Sequence, residues 1–173
     1  FEQLDGTDAL VEWQPAMKTI FVSHTWLSHR HPDPDGHKIT LLKEVIQAAR
    51  AGTVSVSPHW TQRLAGMAKE GVISAKKMRS IVTDGYIWID YCCIPQSASY
   101  LAREQRSAGI DTIPLYVARA TLFVVLAGAW SHKEERAPRD LREWMARGWC
   151  RMELFCNALS LIPRPIIVIE SLS

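Results

Sequence analysis

Four short, almost wholly apolar runs divide the chain: Thr19-Ile20-Phe21-Val22-Ser23, Tyr86-Ile87-Trp88-Ile89-Asp90, Thr121-Leu122-Phe123-Val124-Val125-Leu126 and Ile166-Ile167-Val168-Ile169. Each has the length and the β-branched and aromatic content of a buried strand. Segments with helical spacing separate them. From Lys38 to Ala51, apolar residues recur at Ile39, Leu42, Val45, Ile46 and Ala49, and Gly52 supplies a C-terminal stop. Strands alternating with helices predict an α/β fold, a parallel sheet covered by helices on both faces. Further helices are expected over 97–106, 113–120 and 149–161. Within 53–84, Trp60, Leu64, Met67 and Ala68 suggest one helix, and 72–82 a second with Lys76, Lys77 and Arg79 outward. Residues 28–37 and 92–96 read as loops. The densely charged stretch 131–143, which contains Pro138, reads as an exposed loop.

The chain has 173 residues, which predicts one domain over 1–173. Hydrophobic residues make up 47%, which excludes a disordered chain. A formal charge of +2 argues against a nucleic-acid partner. No window reaches the roughly 18 apolar residues that span a bilayer, so no membrane partner is expected. The start, Phe1-Glu2-Gln3-Leu4-Asp5, is polar and lacks Met; it predicts a domain excised from a longer protein, without a secretory signal. The four cysteines, Cys92, Cys93, Cys150 and Cys156, make no disulfide framework, and a reducing cytoplasm is the simplest compartment.

Ligands of open α/β sheets bind outside the carboxyl ends of the strands. Ser23, His24, Asp90 and Gly128 fall at such ends. No Gly-x-Gly-x-x-Gly, Gly-x-x-x-x-Gly-Lys-Ser/Thr or Gly-x-Ser-x-Gly motif occurs, which argues against a Rossmann dehydrogenase, a P-loop nucleotidase and an α/β-hydrolase. His24, His29, His31 and His37, with Asp33 and Asp35, surround one loop. Their spacing matches no zinc signature, so a polar loop is the preferred reading and no metal is expected. Cys92 or Cys93 is a nucleophile only with a base nearby, for which His24 is the candidate. On a helix, Trp149 and Glu153 share one face, while Leu154 and Phe155 turn toward the core. A lone Glu there serves either the helix and its surface ion pairs, or function.

Phe21-Val22-Ser23-His24 resembles the first-strand motif of TIR domains, and Ile87-Trp88-Ile89-Asp90 their second strand. Cys93-Ile94-Pro95-Gln96 then falls in the family's BB loop. Trp149-Cys150-Arg151-Met152-Glu153-Leu154 matches the plant-type Trp-Cys-x-x-Glu-Leu, the most specific of the matches. Fungal heterokaryon-incompatibility (HET) domains, regarded as TIR-like, are similar through Trp88-Ile89-Asp90-Tyr91-Cys92-Cys93-Ile94-Pro95-Gln96 and through Leu115-Tyr116-Val117-Ala118. Thr25-Trp26 stands where TIR domains usually carry Arg. The resemblance covers residues 18–170 and implies a flavodoxin-like, three-layer sandwich.

It also implies an activity. In catalytic TIR domains the Glu matching Glu153 is essential for cleaving NAD+ at the nicotinamide–ribose bond, giving nicotinamide and ADP-ribose or a cyclised form, in immunity or cell death. Ser23, His24 and Trp26 match positions that contact nucleotide. Asp90 either binds a ribose hydroxyl or caps loop amides, and Trp149 either packs on nicotinamide or ribose or belongs to the core. NAD+, or NADP+, is then the substrate, and no further cofactor is implied. Copies are expected to associate through the loop from Cys92 to Ser97. The alternative is a TIR-like module that signals by self-association without catalysis. Glu153 favours the enzyme, because non-catalytic adaptors often lack it.

Overall fold

The computed structural model describes residues 1–54, 56 and 73–171. Trp60, Leu64, Met67 and Ala68 lie outside the described residues. Four strands, β1 (Lys18–His24), β2 (Gly85–Trp88), β3 (Leu122–Leu126) and β4 (Ile166–Ile169), form one all-parallel sheet in the order β2-β1-β3-β4. The helices among the described residues are α1 (His37–Ala51), α2 (Ala75–Thr83), α3 (Asp90–Cys93), α4 (Tyr100–Asp111), α5 (Ile113–Arg119), α6 (Leu141–Ala146) and α7 (Gly148–Ala158). This is the flavodoxin-like three-layer arrangement. None of these helices is long and apolar enough to cross a membrane.

The pleat of β1 and β3 sorts their side chains into two cores. Ile20, Val22, Leu122, Val124 and Leu126 pack with Leu42 and Ala49 of α1 and Met78, Ile81 and Val82 of α2. On the other face, Phe21, Phe123 and Val125 pack with Trp88, Val117 of α5, Trp144 of α6 and Cys150 of α7. Phe21 stacks on Trp88 at 4.6 Å and on Phe123 at 5.3 Å between ring centroids. Trp88 is thus a core residue, and it stacks in turn on Tyr116.

The second apolar run is shorter than expected as a strand, and it lies at the sheet's edge. β2 ends at Trp88, and Tyr86 and Ile87 are exposed. Asp90 opens the short helix α3, so 92–96 is not wholly loop. Its carboxylate accepts from the Tyr91 amide at 2.6 Å, while the Cys92 and Cys93 amides bond back to Ile89. α1 ends as expected at Gly52, whose φ of 78° is left-handed. A Cβ there would also strike the Arg79 guanidinium.

The stretch 131–143 is not simply an exposed loop. Ser131 bridges to Pro138, His132 and Arg139 are buried, and α6 starts at Leu141. The buried charges are tolerated because they are paired: Arg139 binds Glu135 and lies 3.7 Å from Glu143. The Asp140 side chain caps α6 by accepting from the Glu143 amide at 2.9 Å. Asp140→Ala is expected to cost about 1 kcal/mol, read as a lower urea midpoint at unchanged slope.

Candidate functional site

The chain leaves β1 toward β2 on one side of the sheet and returns to β3 on the other. The carboxyl end of β1 therefore lies at the switch point where such folds open a crevice. Ser23 and His24, the last residues of β1, are both buried. The Ser23 hydroxyl accepts from Trp144 Nε1 at 2.9 Å and donates to Glu153 Oε2, a link between three elements that are distant in sequence. The inward residues of α7 are Cys150, Glu153 and Asn157, spaced three and four apart so that one helix face points at the sheet. Burial drives the Glu153 carboxyl up to about 8. The Ser23 bond opposes this, and the negative charge of Asp90 adds to it.

A second cluster adjoins the first. Asp90 accepts from Trp26 Nε1 at 3.0 Å and from the Tyr91 amide, and pairs with His24 Nε2 at 2.8 Å. Burial works against its ionisation, but the His24 interaction and these hydrogen bonds prevail and hold the carboxyl at about 2. Lys38, at the start of α1, closes the cluster from below. Its Nζ donates to the Thr25 carbonyl, lies 3.4 Å from His24 Nδ1 and faces the Trp130 ring at 5.5 Å. Burial lowers the Lys38 ammonium to about 7, against the attraction of Asp33 and Asp90.

No family model, no curated protein and no solved structure matches the chain.

Ser23, His24, Trp26, Asp90 and Glu153 come together around the end of β1. Trp149 does not join them. It stands in the first turn of α7 with 54% of its surface exposed. Phe155, expected in the core, is also exposed, at 61%. With Met152, Cys156 and Leu159 it lines an open groove of about 720 Å³ between α5 and α7, on the helix face away from Glu153. The cysteines are poor nucleophiles. Burial pushes the thiols of Cys93 to about 11 and Cys150 to about 12, and raises that of Cys92. The four loop histidines do not converge: His24 pairs with Asp90, His29 packs on His132, His31 packs on Tyr91, and His37 is exposed. The loop expected to join copies is held within the chain. Glu2 accepts from the Gln96 and Ser97 amides, and Arg106 donates to Pro95 and Ser97 carbonyls at 2.8 Å.

Two residues of the site, Lys38 and Trp144, are not among the candidates that the sequence singles out. Lys38 sits on the apolar stripe with Leu42, Val45 and Ala49, a cation where spacing demands a hydrophobe. Trp144 follows Asp140-Leu141-Arg142-Glu143, an acidic variant of the capping pattern that announces a helix start.

Proposed function

We propose that this chain is a TIR-like NAD+ nucleosidase that breaks the nicotinamide–ribose bond, working in the cytoplasm in immune or cell-death signalling. The observation that carries the reading is Glu153, a buried carboxyl hydrogen-bonded to Ser23 at the carboxyl end of β1. The family resemblance gives the same residue that role.

In this reading nicotinamide is expelled without a general acid, because it leaves as a neutral molecule. The C1′–N bond breaks with its electron pair going to the pyridinium ring, and the ribose passes through an oxocarbenium-like transition state. Glu153, as carboxylate, stabilises that positive charge in a site of low dielectric. Water then adds to C1′ and gives its proton to Glu153, leaving ADP-ribose; an internal nucleophile gives the cyclic product instead. Ser23 holds the carboxyl in place, and Trp144 holds Ser23. Asp90 is committed to His24, Trp26 and the Tyr91 amide, so it positions these groups rather than binding ribose.

A carboxyl at about 8 is mostly protonated at neutral pH. The cationic nicotinamide ring favours its ionisation, so substrate binding expels a proton. For the free protein, kcat/KM for nicotinamide release is expected to rise up to about tenfold per pH unit below 8 and to level off above it. A profile flat from pH 6 to 9 would remove Glu153 from the essential ionisation.

The direct test is concentrated protein incubated with NAD+ and chromatography for free nicotinamide. A self-associating scaffold is the second reading. The exposed apolar residues Phe155, Leu159, Leu161 and Ile162 on and beyond α7 favour it. Self-association by light scattering with no nicotinamide released would decide for the scaffold.

A further inference from the structure

The geometry points to a zinc-class cation site on the far side of the loop that follows β1, built from His29, His132 and Glu135. These residues come from two segments over a hundred positions apart, and one donor atom of each lies within 4.8 Å of the others. His29 Nδ1 is 3.8 Å and His132 Nε2 4.0 Å from the same oxygen, Glu135 Oε1. Tetrahedral zinc with bonds of about 2.0–2.1 Å places its ligands about 3.4 Å apart, so both nitrogens close on Glu135 by roughly half an ångström, and the two imidazoles, within 4.8 Å of each other, close by up to about 1.4 Å. Two imidazoles with one carboxylate select zinc or a neighbouring transition ion over magnesium or calcium, which take oxygen ligands.

The surroundings are built for such an ion. Glu135 Oε2 is occupied by the buried Arg139 guanidinium, which turns the other oxygen toward both rings. His132 is buried in a turn closed by bonds from its own amide to Ala137 and from the Arg136 amide to His132. Its Nδ1 accepts from the Glu135 amide at 3.2 Å and lies 3.3 Å from Glu134 Oε2. A cation on Nε2 would move the ring proton to Nδ1, which exchanges the Glu135 amide contact for a bond donated to Glu134, the carboxylate–histidine arrangement that orients metal-bound imidazoles. Lys133 is neutralised by Asp35 at 2.7 Å. Three protein ligands leave the fourth position to water. The site would clamp the 25–36 loop, which carries the Asp90 partner Trp26, onto the 131–138 turn. The Lys133 amide already bonds to the Leu27 carbonyl there at 2.8 Å.

The test is equilibrium dialysis of the chelator-stripped chain against Zn2+, with Co2+ absorption reporting coordination and a melt reporting stability. One equivalent per chain, a tetrahedral Co2+ spectrum and a higher Tm with Zn2+ are expected. His29→Ala, at a side chain 60% exposed, leaves the fold intact and is expected to weaken Zn2+ about 100-fold or more. Glu135→Gln should weaken it too, while His37→Ala, at an exposed histidine outside the cluster, should leave it unchanged. No zinc on the wild-type chain, equal affinity in His29→Ala, or loss in His37→Ala would overturn the assignment. None of these readouts depends on NAD+ cleavage.

Discussion

Glu153→Gln is expected to lose nicotinamide release by about 10³-fold or more while making the fold more stable. The first effect follows from the proposed mechanism, in which the variant lacks the negative charge that faces the oxocarbenium ion. The second follows from burial. Glu153 titrates near 8 in the folded chain, against an ordinary value of 4.5. Between those values the native state holds a proton that the unfolded chain has lost. The contribution is therefore fully present below pH 4.5 and is lost as pH rises through 8. Gln has no such titration, so the stability gap between variant and wild type should widen from pH 5 to pH 8.5, by a few kcal/mol in order of magnitude. Lys38, lowered from 10.5 to about 7, acts with the opposite sign: its contribution grows as pH rises above 7. It is present in both proteins and cancels in the difference. Urea midpoints at the two pH values measure the gap; equal gaps would mean that Glu153 is not held protonated by burial.

The second large effect is structural. Asp90→Ala should destabilise the chain by roughly 3 kcal/mol at pH 7, because it strips one acceptor from three donors at once. The His24 side chain is 3% exposed and the Lys38 ammonium lies behind it, so the loss leaves polar groups without their anion. The pH signature is distinct. Asp90 is lowered from 3.8 to about 2, so the unfolded chain binds the extra proton in that window. Its stabilisation is present above 3.8 and is lost as pH falls through 2, worth about 2 kcal/mol. The variant should lack that part of the acid transition. An Asp90→Ala chain as stable as wild type at pH 7 would refute the hub.

What the sequence disclosed follows from which physical signal each residue leaves. β1 and β3 are interior strands with both faces covered, and an unbroken apolar run records that directly. The run from Tyr86 to Asp90 looks the same, yet β2 is an edge strand with Tyr86 and Ile87 exposed, because composition does not register how many neighbours a strand has. Charge density misled at 131–143. His132 and Arg139 are buried through pairing with Glu134, Glu135 and Glu143, two to four residues away, and opposite charges at that spacing look the same in a solvated loop as in a buried turn. His29 leaves no pattern at all, because its partners lie a hundred residues away. Ser23, His24 and Asp90 were legible because strand ends in parallel sheets are where sites form. Glu153 was marked by the Trp-Cys-x-x-Glu-Leu block alone; helical spacing set it on the Trp149 face and turned Phe155 inward, the reverse of the face that the sheet covers. Trp149, in the same block, falls on the exposed flank, since one helical turn of separation does not decide which side of a helix the sheet covers.

The proposed chemistry requires NAD+ to bind at the carboxyl end of β1 with its nicotinamide ribose against Glu153. A crystal structure of the Glu153→Gln variant with NAD+ tests this, the substitution keeping the substrate whole. Density for the ribose is expected within hydrogen-bond distance of the introduced carboxamide and of the Ser23 hydroxyl. Nucleotide bound instead in the groove between α5 and α7, or no nucleotide at saturating NAD+, would contradict it.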